Sequence, residues 1–273
     1  MHRDKDDEPF RHYTLRHKVV SWVSRTWFDN LTYTVRHGPL RGMKRKGGLG
    51  WIPQIGDRGA RSAEQAFLEN LNVTGLVIFD VGAFEGLITL FFARKAQQVV
   101  CYEPSARNYA RLCQNLELNA IRNVTPRKYG VGATSHRSLL ASDPRMTGGA
   151  TLSANMSATI GRQADARFEQ IEVTTLDEDL AAAHLPQPDL VKIDVEGYEL
   201  AVLQGAKGLL ESKHPALYLE MHGETMSEKR ANVKAIVAHL YAQGYKDVLH
   251  VESGLKITQE NCEHASEGHL YCR

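Results

Sequence analysis

The run Val77-Ile78-Phe79-Asp80-Val81-Gly82-Ala83-Phe84-Glu85-Gly86 leaves the surrounding chain few options. It reads as a buried strand, a glycine turn and a helix entry, the opening of a βαβ unit. Gly82 stands where the chain leaves the strand, so the missing β-carbon lets the backbone turn sharply and come close to a ligand. Gly86 permits tight entry into the helix, and Asp80 anchors the turn. Cys101-Tyr102-Glu103-Pro104 reads as the following strand. It ends on a carboxylate able to accept both hydroxyls of a ribose.

The spacing Asp-x-Gly-x-x-x-Gly differs from the Gly-x-Gly-x-x-Gly that seats a pyrophosphate on a helix N-terminus, which disfavours a dinucleotide. A carboxylate beside the turn would repel a pyrophosphate but suits a sulfonium and the amino end of a methionine. The predicted cofactor is therefore S-adenosylmethionine, with Asp80, Gly82, Ala83, Gly86, Glu103 and Pro104 as its binding residues.

Elements alternate regularly from Ser62 onward. Ser62 caps a helix that ends by Asn72, the Val77 strand follows, and a helix runs from Gly86 to Lys95. Val99 to Tyr102 forms a strand, Ser105 caps a helix to about Asn119, and Val124 to Tyr129 is a third strand. This βαβαβ order implies an α/β fold on a parallel sheet. Periodicity lapses between Gly130 and Ile171, a stretch too long for a simple connection, as expected of an insertion that shapes a substrate site. A strand over Glu172 to Leu176, a helix over Asp177 to Ala183 and a strand over Leu190 to Ile193 then resume the pattern. A helix from Tyr198 to Leu210, a strand from Ala216 to Met221, a helix from Ser227 to Gln243 and a hairpin between Lys246 and Cys272 complete it.

With 273 residues, 42% of them hydrophobic, the chain can bury one substantial core. Its formal net charge of +1 is unevenly spread: residues 1 to 61 hold thirteen Lys or Arg against six Asp or Glu. Two divisions follow, a basic N-terminal extension over 1–61 and a catalytic domain over 62–273. Leu15, Val19, Trp22, Val23 and Trp27 recur at near-helical spacing beside Arg16, Lys18 and Arg25. An apolar stripe packed as a lid over the domain is the simplest role; contact with an anionic membrane, a lipid-linked acceptor or nucleic acid are the alternatives. The basic run Arg41 to Lys46 offers a place for a phosphate. No apolar run resembles a signal sequence or a membrane span, and Cys101, Cys113, Cys262 and Cys272 form no C-x-x-C pair. These features predict a cytoplasmic protein with free thiols. Cys262, His264, His269 and Cys272 lie within a dozen residues, but their spacing departs from zinc-finger patterns, and zinc is not expected.

In an open parallel sheet, ligands gather beyond the carboxyl ends of the strands, where Asp80, Glu103, Asp194, Glu196, Glu220 and His222 all fall. Methyl transfer from a sulfonium to a hydroxyl requires an in-line nucleophile and removal of its proton. Asp194, Glu196 and His222 are the predicted catalytic residues, with His222 as the natural general base. No metal is expected; the alternative places Mg²⁺ or Mn²⁺ on Asp194, Glu220 and His222.

Asp80-Val81-Gly82-Ala83 with Gly86 and Thr89, Tyr102-Glu103-Pro104, Leu176-Asp177, Lys192-Ile193-Asp194-Val195-Glu196-Gly197-Tyr198-Glu199 and Glu220-Met221-His222 resemble the FkbM family of S-adenosylmethionine-dependent methyltransferases. The resemblance covers about Leu76 to Gly223. It implies a class I methyltransferase fold, Rossmann-like, with a seven-stranded sheet, one strand antiparallel and helices on both faces. It also implies O-methylation of hydroxyls on sugars, glycolipids, polysaccharides or related natural products. Hydroxyl-bearing small molecules or glycans are the expected partners. An RNA methyltransferase or nucleic-acid-binding protein that works through the basic extension is the alternative, disfavoured by the near-neutral total charge.

Overall fold

The computed structural model describes residues 30–47, 62–142, 150–162 and 166–273. The apolar stripe from Leu15 to Trp27 and its neighbouring basic residues lie outside them. In chain order the elements are β1 (Thr32–Thr34), β2 (Lys44–Lys46), α1 (Ala63–Asn70), β3 (Val77–Val81), α2 (Leu87–Ala93), β4 (Gln98–Tyr102), α3 (Ala106–Leu118) and β5 (Val124–Arg127). Next come β6 (Gly130–Val131), β7 (His136–Ser142), β8 (Ala150–Thr151), α4 (Ala154–Gly161), β9 (Arg167–Thr174), α5 (Leu176–Ala182) and β10 (Leu190–Ile193). The chain closes with α6 (Glu199–Gln204), α7 (Lys207–Ser212), β11 (Ala216–Glu220), α8 (Met226–Ala242), β12 (Val248–His250) and β13 (His269–Cys272).

Seven strands form the main sheet in the order β12-β13-β11-β10-β3-β4-β5, with β13 antiparallel to both neighbours and every other pairing parallel. Every residue of β3 and of β10 is buried, as expected of strands covered by helices on both faces. Side chains alternate along β3: Phe79 and Val81 join one apolar cluster with Leu203, Leu210 and Val237, while Ile78 joins the opposite one with Leu90, Phe92 and Leu112. From β3 the chain winds outward through β4 and β5, then returns to β10 on the other side of β3. This reversal is the switch point at which an open α/β sheet leaves a crevice.

The stretch that lacks periodicity in sequence is structured where it is described. β6, β9, β7 and β8 form a second sheet in that order, built on an antiparallel pairing from His136↔Val173 to Ser142↔Arg167. β9 thus begins at Arg167, five residues before its expected start. Leu140, Ile171 and Val173 form a small core of their own.

The helix expected from Tyr198 to Leu210 is two helices, with Gly205 as the C-cap of the first. A β-carbon there would lie 2.0 Å from the Gly132 carbonyl oxygen, so the backbone of this junction sits directly against the second sheet's connection. Gly205→Ala should destabilise the protein by about 1–3 kcal/mol through overpacking, because its φ of −81 is open to any residue and only the contact is at fault. Urea unfolding would measure this, and a variant within about 0.5 kcal/mol of wild type would show that the junction shifts freely.

The caps behave unequally. Ser62 Oγ accepts from Gln65 N–H at 3.1 Å, whereas the Ser105 side chain makes no capping bond at the start of α3. The basic strand β2 pairs with β1 and is clasped by α3: Lys44 N–H donates to Asn119 Oδ1 at 2.7 Å and Lys46 N–H to Asn115 Oδ1 at 2.9 Å. Arg45 lies 3.3 Å from Glu85, and Val35, Leu40 and Met43 enter the same apolar cluster as Ile78. No residue from Arg41 to Lys46 lines the cavity described below.

Candidate active site

One cavity opens at the carboxyl ends of the central strands. Gly82, Glu103, Pro104 and Asn108 reach it from β3, β4 and α3, and Asp194, Glu196, Glu220 and His222 reach it from the ends of β10 and β11. Leu140, Ala150 and Leu152 of the second sheet and its flank complete the wall.

Glu103 is oriented by three donors. The N–H of Phe84 donates to Oε2 at 2.9 Å, the N–H of Ser105 to Oε1 at 2.9 Å, and Asn108 Nδ2 to Oε1 at 3.3 Å. Burial pushes the Glu103 carboxyl up to about 7, and these donors oppose the rise by favouring the ionised form. Phe84 supplies its N–H from a left-handed backbone, φ 51, uncommon outside glycine. The N–H groups of Gly82 and Ala83 donate to the Tyr102 carbonyl at 3.1 and 2.9 Å, which ties the turn to β4.

Beneath the cavity lies Lys192. In the parallel register Lys192 stands beside Asp80, so the two side chains leave the sheet on one face. Its Nζ is 3.1 Å from Asp80 Oδ1 and 3.2 Å from Asp194 Oδ2, and it donates to the Gly82 carbonyl at 3.0 Å. Burial alone would lower the ammonium pKa, but Asp194 and Asp80 outweigh it and hold the charge. Thr89 Oγ1 donates to Asp80 Oδ2 at 2.5 Å. Gly82, with φ 81, leaves no room for a side chain: a β-carbon would lie 1.7 Å from the Asp194 carbonyl oxygen. Its glycine is required by the neighbouring strand end.

His222 is gripped from behind. Its Nδ1 lies 2.8 Å from Glu199 Oε1, and its Nε2 faces Glu220, Asp194 and Glu196 at 3.5, 3.8 and 3.9 Å. Burial opposes its protonation, yet bonds to Glu199 and Glu220 together with the surrounding negative charge raise its pKa well above the ordinary value. A raised pKa favours the imidazolium, the form that cannot act as a base, so the electrostatics of the site run against the role expected of His222. Burial raises the Asp194 carboxyl, and Glu220 reinforces that rise while Lys192 opposes it. Asp194, Glu220 and His222 offer ligand atoms within 4.8 Å of one another, a mixed oxygen and nitrogen set of the kind Mg²⁺ or Mn²⁺ takes.

Of the predicted residues, Gly82, Glu103, Pro104, Asp194, Glu196 and His222 therefore meet at one cavity. Asp80, Ala83 and Gly86 do not line it. Asp80 has no exposed surface and faces Lys192 and Thr89, so it acts on the turn from below and cannot touch a ligand where it stands. Gly86 caps α2 with a left-handed backbone, φ 86, so this glycine serves the turn into the helix. His269 and Cys272 lie on β13, where His269 Nδ1 meets Glu252 at 2.6 Å. Sequence reasoning missed Phe84, Asn108 and Lys192. Phe84 contributes a main-chain group that side-chain identity does not reveal, whereas a lysine inside the apolar run of β10 was a readable anomaly.

The family profile described as the methyltransferase FkbM domain matches residues 80–246. The hexuronic acid methyltransferase AglP of Haloferax volcanii is 29% identical over 136 residues, covering 50% of this chain and 52% of that protein. Methyltransferase 1 of Beauveria bassiana is 28% identical over 142 residues, covering 47% of this chain and 57% of that protein. The chain spans about half the length of the curated relatives it matches. A solved structure, the methyltransferase FkbM of Methylobacillus flagellatus KT, aligns at a TM-score of 0.48 and 19% identity over 75% of this chain and 45% of that one. Among the described residues no helix is long and apolar enough to cross a membrane.

Proposed function

The chain belongs to the FkbM methyltransferase family, and from that premise we propose that it transfers the methyl group of S-adenosylmethionine to a hydroxyl of a carbohydrate-type acceptor. The observation that carries this reading is the meeting of Glu103 and Gly82 with Asp194, Glu196 and His222 on one cavity wall. The donor set suits the cofactor: Glu103 has each oxygen held by a donor and lies at the strand end where a ribose is bound in folds of this kind. When bound, S-adenosylmethionine supplies an electrophilic methyl group on a sulfonium.

The remaining work falls to the protein. Asp194, with its pKa raised by burial, accepts the proton of the attacking hydroxyl. Glu196 orients the acceptor. His222, protonated and braced by Glu199, offsets the crowded carboxylates and keeps them in place. Lys192 fixes Asp194 and the Gly82 turn together, so the proton acceptor and the cofactor turn hold one geometry. The similarity to a hexuronic acid methyltransferase supports a sugar as acceptor.

Incubation with S-adenosylmethionine and a panel of simple glycosides, followed by mass spectrometry, tests the reaction. Methyl gain on a sugar hydroxyl is expected; methylation of RNA and of no glycoside would overturn the reading. Glu103 also makes binding depend on pH. The anion accepts ribose hydroxyls on both oxygens with charge-assisted bonds, whereas the acid keeps a single, weaker acceptor, so affinity should rise as pH increases through about 7 and level off above it. Calorimetry with 5′-methylthioadenosine, which lacks the titrating amino acid of the full cofactor, isolates this effect. An affinity unchanged across that range would remove Glu103 from the ribose.

A further inference from the structure

Glu196 holds a backbone conformation rare for a side-chain-bearing residue, φ 51, and Gly197 beside it continues left-handed at φ 91. Such a turn persists where its surroundings over-determine it. Two buried side chains do so, and neither lines the cavity. Glu199, 1% exposed, accepts from the N–H of Gly197 at 3.0 Å. Thr151, also 1% exposed, donates its hydroxyl to the Glu196 carbonyl at 2.7 Å and accepts from the N–H of Ser153 at 2.9 Å.

The two braces differ in origin. Glu199 belongs to the helix that follows the turn, whereas Thr151 comes from β8, paired to β7 through Ala141 in the second sheet. Its neighbours Ala150 and Leu152 line the cavity. One hydroxyl therefore joins the wall supplied by the second sheet to the turn that aims Glu196.

We infer that Thr151 is a positioning residue for Glu196: it stabilises the left-handed turn and sets the carboxylate against the acceptor from outside the cavity. The catalytic meaning of this role rests on the proposed methyl transfer; the structural meaning does not. Thr151→Val keeps the shape and removes the hydroxyl, and Thr151→Ser keeps the hydroxyl. In hydrogen-exchange mass spectrometry, a peptide covering 194–198 should exchange about tenfold faster in Thr151→Val, the value of one lost hydrogen bond, while β3 and β11 stay as in wild type. Thr151→Ser should restore protection. With a glycoside acceptor, kcat should fall by about tenfold or more while KM for S-adenosylmethionine stays within about twofold.

Unchanged exchange over 194–198 in a folded Thr151→Val protein overturns the inference, as does a Thr151→Ser variant that fails to restore it. If Thr151→Val does not fold, Glu196→Gly combined with Thr151→Val decides. Glycine takes the left-handed turn unaided, so the double variant should fold; equal disruption would make Thr151 a packing residue only and end the inference. A wild-type chain that binds no S-adenosylmethionine would overturn the proposed function and leave the exchange result to judge Thr151.

Discussion

Lys192→Met is expected to destabilise the protein by about 3–5 kcal/mol, the cost of leaving buried carboxylates without their cation. Asp80 is 0% exposed, and Lys192 is the only cation within 4 Å of it among the described residues. Methionine fills similar space, so packing loss contributes little and electrostatics dominates. Urea unfolding of Lys192→Met, Asp80→Asn and the double variant would separate these contributions. The double variant should recover part of the loss, because a neutral amide needs no ammonium. A single Lys192→Met variant within about 1 kcal/mol of wild type would show that water reaches Asp80 and that the pair is not the foundation of the turn.

Glu103→Ala should weaken binding of S-adenosylhomocysteine by about 1.5–3 kcal/mol, roughly 10- to 150-fold, through loss of charge-assisted hydrogen bonds. The substitution also frees the N–H groups of Phe84 and Ser105. Part of the loss is then disorder of the Phe84 turn, and Glu103→Gln, which keeps one acceptor oxygen, should fall between wild type and alanine. Calorimetry reads both. Equal affinity in wild type and Glu103→Ala would detach the cofactor from β4, and tighter binding of NADH than of either S-adenosyl compound would overturn the cofactor itself.

The central strands were readable because strands buried on both faces are short apolar runs closed by turns, and β3, β4 and β10 all have that form. β7 and β9 escape a local reading. β7 is His-Arg-Ser-Leu-Leu-Ala-Ser, half exposed, and what makes it a strand is a partner some thirty residues away. Such pairing leaves weak local periodicity. The constraint at the end of α6 was invisible for a related reason: Gly205 in isolation reads as a tolerated helical glycine, and only the Gly132 carbonyl against it shows why no other residue belongs there.

The site divides along the same line. That Glu103, Asp194, Glu196 and His222 would meet at one cavity was readable because residues at strand ends converge in any open parallel sheet, whatever their neighbours. Asp80 was placed on the ligand because its position in the motif says that it lies near the turn; which way it faces depends on the register that sets it beside Lys192. His222 was given a base's role from its ordinary pKa, and the carboxylates that raise that pKa arrive from β10, α6 and β11. Local sequence thus determined the order of the elements, the glycine turn and the strand ends where ligands gather, since each depends on residues a few positions apart. Only the tertiary structure decided the pairings, the directions in which burial and neighbouring charges shift the site's titrating groups, and the way each carboxylate faces, because those depend on distances between segments far apart in the chain.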